Sequence, residues 1–404
     1  MELKGKHGSA IVFTQNIEEG AKEQIIALLD QEFISGAKVR IMPDVHLGIG
    51  SVIGFTAELK DKVIPNIVGV DISCGMLTVE LGKIPLDLAK LDETIHKKIP
   101  SGTNVHERKI VEFDQLKDLR MYRELNDTKR LERSIGSLGG GNHFIEVGVD
   151  SKENKYLVIH SGSRNLGTQV ARYYQNLAID LCSGKEQFFE EKEELMKSFK
   201  SQGKRNKIQK ALKELEKKYA GLKFEYSWDL CFLEGKYKDD YLHDMQICQI
   251  YASLNRKTMA EIILQEILGK SLDDFSHFET VHNYINFKDQ IIRKGAVSAY
   301  EGERLLIPIN MRDGSILAQG KGNPDWNYSA PHGAGRILSR TQAKEELDLS
   351  HFKETMKGIY STSVSKKTLD ESPFAYKPME EIIEAVKDTV DILEILTPIY
   401  NYKA

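Results

Sequence analysis

The sequence predicts one large α+β domain. Three observations carry that expectation. Short apolar runs bounded by glycine and polar residues fill the first third, helical periodicity takes over in the middle, and no linker or internal repeat divides the 404 residues. Hydrophobic residues make up 41% and charged residues 29%, a balance that excludes collagen-like, disulfide-scaffold and wholly disordered chains.

Taken in order, apolar positions from Ile17 to Gln31 have helical spacing. Lys38 to Met42 and Ser51 to Phe55 read as strands around a glycine-rich loop, and Ile67 to Val70 as an apolar strand before a turn. His143 to Glu146 and Tyr156 to Ile159 are further strands, the second a continuous apolar run suited to burial. Gly167 to Ala178 continues as a helix. Residues 185–218 differ from their surroundings: 18 of the 34 are charged, eleven positive and seven negative, with Phe188, Leu195, Phe199, Ile208, Leu212 and Leu215 at rough helical spacing. This predicts a solvated helical hairpin with its break at Ser201-Gln202-Gly203. A charged helical face is the default reading of it, and RNA contact the alternative. His243 to Ile267 is a helix that turns Ile247, Tyr251, Leu254 and Met259 to a core. Residues 295–335 are rich in strands and loops, and Met379 to Ile392 reads as an amphipathic helix.

The longest apolar runs fall far short of the roughly 20 residues that a membrane helix needs. No apolar segment follows the first residues, so no signal peptide is expected. The four cysteines are scattered, which predicts a reduced, cytosolic protein. With 56 basic and 60 acidic residues the net charge is -4, so there is no global basic footprint for nonspecific nucleic-acid binding, although a local basic groove remains open.

The chemistry lies in His, Asp and Cys residues set into glycine-rich turns. Met42 to Gly50 (MPDVHLGIG) places Asp44 and His46 after a strand. Asp71 and Cys74 are three residues apart, close enough for one turn to aim both at one ion. Gly139-Gly140-Gly141-Asn142 is a loop of free backbone amides that leads into His143. His160 closes a strand and opens Ser161-Gly162-Ser163-Arg164. His282 lies outside any amphipathic pattern, and His332 sits between Pro331 and Gly333. Alone, each of these is more often a hydrogen-bonding or packing residue. Together they suggest a metal site. One Asp, one Cys and three His are too many for one tetrahedral ion, so a bridging Cys74 would join an Asp/His half to a His/His half. The mixed O, N and S donors suit Mn, Fe, Co or Zn, with a lean to Mn. Gly139 to Asn142 can cradle an anion, and Arg164 and Arg336 can take phosphate oxygens in bidentate fashion. Metals, amides and arginines point to phosphoryl chemistry, and no Walker A or G-x-G-x-x-G motif is present. Cys182, Cys231 and Cys248 are read as packing residues.

These blocks, with GSLGGGNHFIEV (Gly136 to Val147), VGVDISCGM (Val68 to Met76), HSGSRNLG (His160 to Gly167), VHN (Val281 to Asn283) and PHGAGR (Pro331 to Arg336), resemble the RtcB family of RNA ligases. They occur in the family's order over nearly the whole chain, in a divergent, bacterial-type form. Ile309 to Gly314 lacks the small glycine-serine loop of better-known members, and Asn323 to Asn327 also departs from them.

The resemblance implies a single RtcB-like domain over 1–404, with mixed sheets around a buried dinuclear metal site and the hairpin 185–218 as an insertion. It implies that RNA ends carrying a 2',3'-cyclic or 3'-phosphate are joined to 5'-hydroxyl ends with GTP, in RNA repair or tRNA splicing. His332 would be the nucleophile that carries GMP, and Asp44 would orient it. Two Mn(II) ions per subunit would be held by Asp71, Cys74 and His143, and by Cys74, His160 and His282. Asn142, His143, Phe144, Ile145, Glu146, His282, Asn283, Pro308, Ile309, Asn310, Met311, Ser315, His332, Gly333, Ala334, Gly335 and Lys403 would surround the nucleotide, and Arg164 and Arg336 would face RNA phosphates. The partners implied are RNA and GTP, not a membrane, with a monomer or homodimer in the cytoplasm and room for an activating protein. The rival readings are a dinuclear phosphodiesterase or cyclic phosphatase that opens ends without sealing, and a noncatalytic RNA-binding relative.

Overall fold

The computed structural model describes residues 1–184, 186–201, 208–219 and 227–403. Most of its strands fall into two sheets. The larger has seven strands in the order His277–Val281, Gly75–Gly82, Lys155–Ser161, Phe144–Val149, Val390–Lys403, Gly314–Gly320 and Arg304–Asn310. Every neighbouring pair in it is antiparallel. The six-stranded sheet runs Glu2–Lys4, Ser9–Val12, Val39–His46, Ile53–Glu58, Ile291–Lys294 and Tyr284–Ile285. It is mixed, because Ser9–Val12 and Val39–His46 pair in parallel. The fold is therefore α+β with several sheets, as expected. No helix among the described residues is long and apolar enough to cross a membrane.

The 34-residue helix Gly235–Leu268 joins the two halves of the core. Its Met245, Ile247, Cys248 and Tyr251 pack in one cluster with Ile25, Phe55 and Tyr174. Further along the helix, Met259, Ala260, Ile263 and Leu264 pack in a second cluster, under the seven-stranded sheet with Ile145, Leu157 and Tyr400. Of the residues expected to face the core, Leu254 is only partly buried. The helix is apolar on more than one face because it is covered on more than one side.

Two expected elements differ. Ile67 to Val70 is not a strand: Pro65–Val68 is a single helical turn with Pro65 in its first position. Proline there loses no helical hydrogen bond, and Gly69 at φ +94° ends the turn where a side chain would be strained. The helix from Met379 ends at Ala385, and a strand begins at Val390. Val386, Val390 and Leu393 keep helical spacing, but pairing on both edges with Gly314–Gly320 and Phe144–Val149 overrides that local signal.

Within 185–218 the helices are Glu186–Ser201 and Ile208–Lys218. They lie against each other through Lys218 and Glu191 (2.7 Å), with Tyr219 donating to Glu191 at 2.8 Å. Lys236 pairs with Glu193 at 3.3 Å and ties the first helix to the long one. Lys185 and the break at Gln202-Gly203 lie outside the described residues. Cys231 and Cys248 are fully buried, whereas Cys182 is partly buried and its sulfur accepts the Phe232 N–H at 3.4 Å.

Candidate functional site

Antiparallel register gathers distant residues at one end of the seven-stranded sheet. Gly75 pairs with both Ser161 and Val281, which sets Cys74, His160 and His282 side by side. Phe144 pairs with both His160 and Lys403, which brings His143 and the chain's C-terminal end to the same edge. Gly75 permits the close approach: a Cβ there would lie 2.6 Å from the Thr280 carbonyl oxygen. Any larger residue would push the His282 strand away from Cys74.

Two three-residue groups result, Asp71/Cys74/His143 and Cys74/His160/His282, with donor atoms inside each group within 4.8 Å of one another. Cys74 Sγ lies 3.3 Å from His143 Nε2 and 3.2 Å from His160 Nε2, and Asp71 Oδ2 lies 3.0 Å from His143 Nε2. The far ring nitrogens are tethered, His143 Nδ1 to the Leu138 carbonyl at 2.9 Å and His160 Nδ1 to the Asn142 carbonyl at 3.2 Å. A carbonyl only accepts, so Nδ1 carries the proton in each ring and Nε2 keeps a free lone pair. Burial pushes His160 and His282 well below the usual histidine range, which favours the neutral, ligand form. Burial would raise the Asp71 carboxyl, but its hydrogen bond and charge interaction with His143 outweigh this and hold it low. Burial, then the Asp71 charge, push the Cys74 thiol up. A cation between the groups would reverse that, since a coordinated thiol is deprotonated. His282 Nδ1 is buried without a partner, the state expected of a nitrogen waiting for a cation. The donor set fits two divalent ions that share one thiolate.

His332 follows the strand Ser329–Pro331, and Asp44 lies in Val39–His46. Pairing of that strand with Ile53–Glu58 breaks between Ile41 and His46, around Pro43, which has no N–H to donate. The break turns Asp44 inward, where it is fully buried. Its Oδ2 lies 2.6 Å from His332 Nδ1 and accepts the His332 backbone N–H at 3.1 Å. Gly335, at φ +77°, passes so near Asp44 that a Cβ would lie 2.7 Å from its carbonyl oxygen. The carboxylate fixes the proton on Nδ1 and leaves Nε2 as a nucleophilic lone pair. The His332 and His282 rings lie 4.8 Å apart, centroid to centroid.

A cavity opens beside His332. Asn142, Phe144, Glu146, Pro308 to Met311 and Gly333 to Gly335 line it, and Lys403 closes one wall. His143 faces a separate cavity with Asp71 and Arg164, His282 packs against His332, and Asn283 accepts the Gly295 N–H at 2.8 Å and donates to the Asp71 carbonyl at 3.4 Å. Ile145 is in the core and Ser315 is fully buried, neither of them on the cavity wall. His46, Arg340, Glu371, Tyr376 and Asn401 also form the wall, and the sequence reading assigns none of them a role there. Only His46 carried a visible signal, inside the MPDVH block; the others reach the cavity through the C-terminal strand and the short helices before it.

Glu146 is the unusual wall residue. Asn401 Nδ2 donates to its Oε2 at 2.8 Å, but Oε1 is buried with no partner. Burial raises its carboxyl to about 7. Its Oε1 is thus a free acceptor on the cavity wall whenever the group is ionised. Lys403 pairs with Glu371 and lies 5.5 Å above the Phe144 ring. Burial would raise Glu371, but the charges of Lys403 and Arg340 hold it at about 2.

The two arginines differ. Arg164 donates to Ser137 Oγ (3.2 Å) and to the Gly102 carbonyl (3.1 Å), beside Asp71 and His143. Arg336 is committed to the protein, donating to the Leu338 carbonyl and the Tyr376 hydroxyl, both at 3.0 Å, and pairing with Glu371 at 3.5 Å.

Comparison with known proteins gives one answer. The family model described as "tRNA-splicing ligase RtcB" matches residues 24–126 and 112–404. The chain is 31% identical to the RNA-splicing ligase RtcB of Escherichia coli K12, over 96% of this chain and 95% of that protein. It is 30% identical to RNA-splicing ligase RtcB1 of another E. coli strain, with the same coverage. It is 27% identical to the tRNA-splicing ligase RtcB of Archaeoglobus fulgidus, over 92% of this chain and 88% of that protein.

Proposed function

The chain belongs to the RtcB family and is an RNA ligase, and from that premise we propose a GTP- and Mn(II)-dependent reaction that joins 2',3'-cyclic phosphate or 3'-phosphate RNA ends to 5'-hydroxyl ends through His332. The observation that carries the reading is the His332–Asp44 pair at 2.6 Å, beside a cavity with an unpartnered buried acceptor and next to two ligand groups that share Cys74. We take residues 1–404 as one ligase domain with 185–218 inserted in it. It works in the cytoplasm as a monomer or homodimer and admits an activating protein.

His332 Nε2 attacks the α-phosphorus of GTP. An N–P bond forms, the bond to the bridging oxygen breaks, and pyrophosphate leaves. Asp44 keeps the Nδ1 proton and offsets the charge that grows on the ring. Water opens a cyclic end to a 3'-phosphate, whose oxygen displaces His332 from the GMP phosphorus. The 5'-hydroxyl then attacks the activated RNA phosphorus, loses its proton and expels GMP. Two Mn(II) held by Asp71, Cys74, His143, His160 and His282 would neutralise phosphate charge during these displacements. Phe144 and Tyr376 offer ring faces to the guanine, Glu146 accepts its N–H groups, and Lys403 donates to it. Arg164, beside Asp71 and His143, meets the RNA phosphate. Arg336, bonded to Leu338, Tyr376 and Glu371, holds the cavity wall rather than an RNA phosphate.

The test is a joining assay with a 2',3'-cyclic phosphate strand and a 5'-hydroxyl strand, GTP and Mn(II). Ligation is expected, with the junction phosphate derived from the 3' end. Opening of the cyclic end without sealing would favour the hydrolase instead.

Glu146 sets the pH dependence. It accepts guanine N–H groups only as the carboxylate, so GTP affinity rises as pH rises through about 7 and levels off above. The KM for GTP at pH 6 is expected to be about tenfold above its plateau, since one pH unit below the pKa leaves roughly a tenth of the group ionised. Glu146→Gln should flatten the KM profile and leave the pH dependence of kcat in place.

A further inference from the structure

Asn255 and Arg256 are consecutive, fully buried residues near the middle of the Gly235–Leu268 helix. Neither reaches the cavity or the ligand groups, yet their hydrogen bonds run to every segment that carries a Cys or His ligand. Arg256 Nη1 donates to the carbonyls of Ser73, just before Cys74, and Ser161, just after His160, both at 2.9 Å. Its Nε donates to Glu279 at 2.8 Å, in the strand that ends one residue before His282. Asn255 Oδ1 accepts the N–H groups of Gly136 (2.8 Å) and Ser137 (3.1 Å), which open the loop to His143. Its Nδ2 donates to Ser161 Oγ (3.1 Å) and to the Gly162 carbonyl (3.2 Å). Ser161 Oγ in turn donates at 2.8 Å to the Leu138 carbonyl, the same oxygen that holds His143 Nδ1.

We propose that Asn255 and Arg256 are positioning residues that set the spacing of the two cation sites, a role that rests on the sites proposed above. Stability alone does not account for Arg256. Its Nη2 is buried without a partner, and an apolar residue of similar volume is usually cheaper to bury than an ion pair. What an apolar residue cannot do is fix two carbonyls and a carboxylate at set angles, which the planar guanidinium does. Cys74, His143, His160 and His282 span more than 200 residues of sequence, and this dipeptide is the common brace behind the strand ends that hold them.

The experiment measures Mn(II) binding to the full chain by the EPR signal of the free ion, with metal-free melting in parallel. The proteins are wild type, Arg256→Lys, Glu279→Gln and Ser253→Ala; Ser253 Oγ holds Glu279 Oε2 at 2.7 Å. Lysine keeps the charge and loses the fork. Expected for Arg256→Lys is Mn(II) affinity lower by about tenfold or more, the range seen when residues behind metal ligands are changed. Glu279→Gln should fall less and Ser253→Ala least, with metal-free melting near wild type in Ser253→Ala and lower in Glu279→Gln, which leaves Arg256 without its counter-charge. Two Mn(II) ions bound with wild-type affinity by Arg256→Lys would overturn the proposal. If that variant does not fold, wild-type affinity in both milder variants overturns it and a graded loss upholds it. A wild type that binds no Mn(II) would overturn the cation sites together with their brace.

Discussion

Cys74→Ser is expected to lose both cations in one step. The Cys74 sulfur is the only donor common to the two groups, 3.3 Å from His143 Nε2 and 3.2 Å from His160 Nε2. A serine hydroxyl fills the same space but does not ionise near neutral pH, so neither ion keeps its third ligand. Mn(II) affinity should fall by about 10²-fold or more at both sites, and incorporation of GMP and RNA joining should vanish with it. Metal-free melting should stay close to wild type, because no cavity is created. Cys182→Ser, far from the site, should bind two ions normally. A titration that still shows one tight ion in Cys74→Ser would contradict the shared-thiolate arrangement.

Asp44→Asn tests the nucleophile without touching it. An asparagine keeps its oxygen toward the His332 backbone N–H and Nδ1–H but removes the charge that offsets the positive ring formed when Nε2 attacks GTP. The rate of guanylylation should fall by about 10²–10⁴-fold, with Mn(II) binding and the KM for GTP little changed. Asp44 is fully buried, and its Oδ1 has no partner, so losing the charge should not lower the melting temperature. A loss of activity explained by unfolding would show as a lower melting point, and that outcome is not expected.

The candidate ligands were legible in the sequence because each breaks the local pattern. Asp71, Cys74, His143, His160 and His282 are polar residues at the ends of apolar runs or in the turns beside them, where a packing role is least natural. Strand register brings Cys74, His143, His160 and His282 to one sheet end, and Asp71 joins them from the turn before Cys74. The wall beyond them was not legible. Asn401 and Lys403 reach it through the strand Val390–Lys403, whose start carries a helical apolar spacing that only pairing with two neighbours overrules. Tyr376, Glu371 and Arg340 come from short helices and turns whose positions depend on tertiary contacts with Arg336, Asp370 and Lys403. Asn255 and Arg256 look like two polar residues in a helix, and nothing local marks them as buried. Pro65–Val68 was missed because four apolar residues around a proline fit a strand start as well as a helix turn.

The central claim is that His332 carries the nucleotide. The direct measurement incubates the full chain with Mn(II) and GTP labelled at the α-phosphate, denatures it, and maps retained label by peptide mass. The account predicts one GMP on His332, stable to base and labile to acid as a phosphoramidate, with no label in His332→Ala. A folded, Mn(II)-loaded wild type that retains no label, or label that persists in His332→Ala, would contradict it.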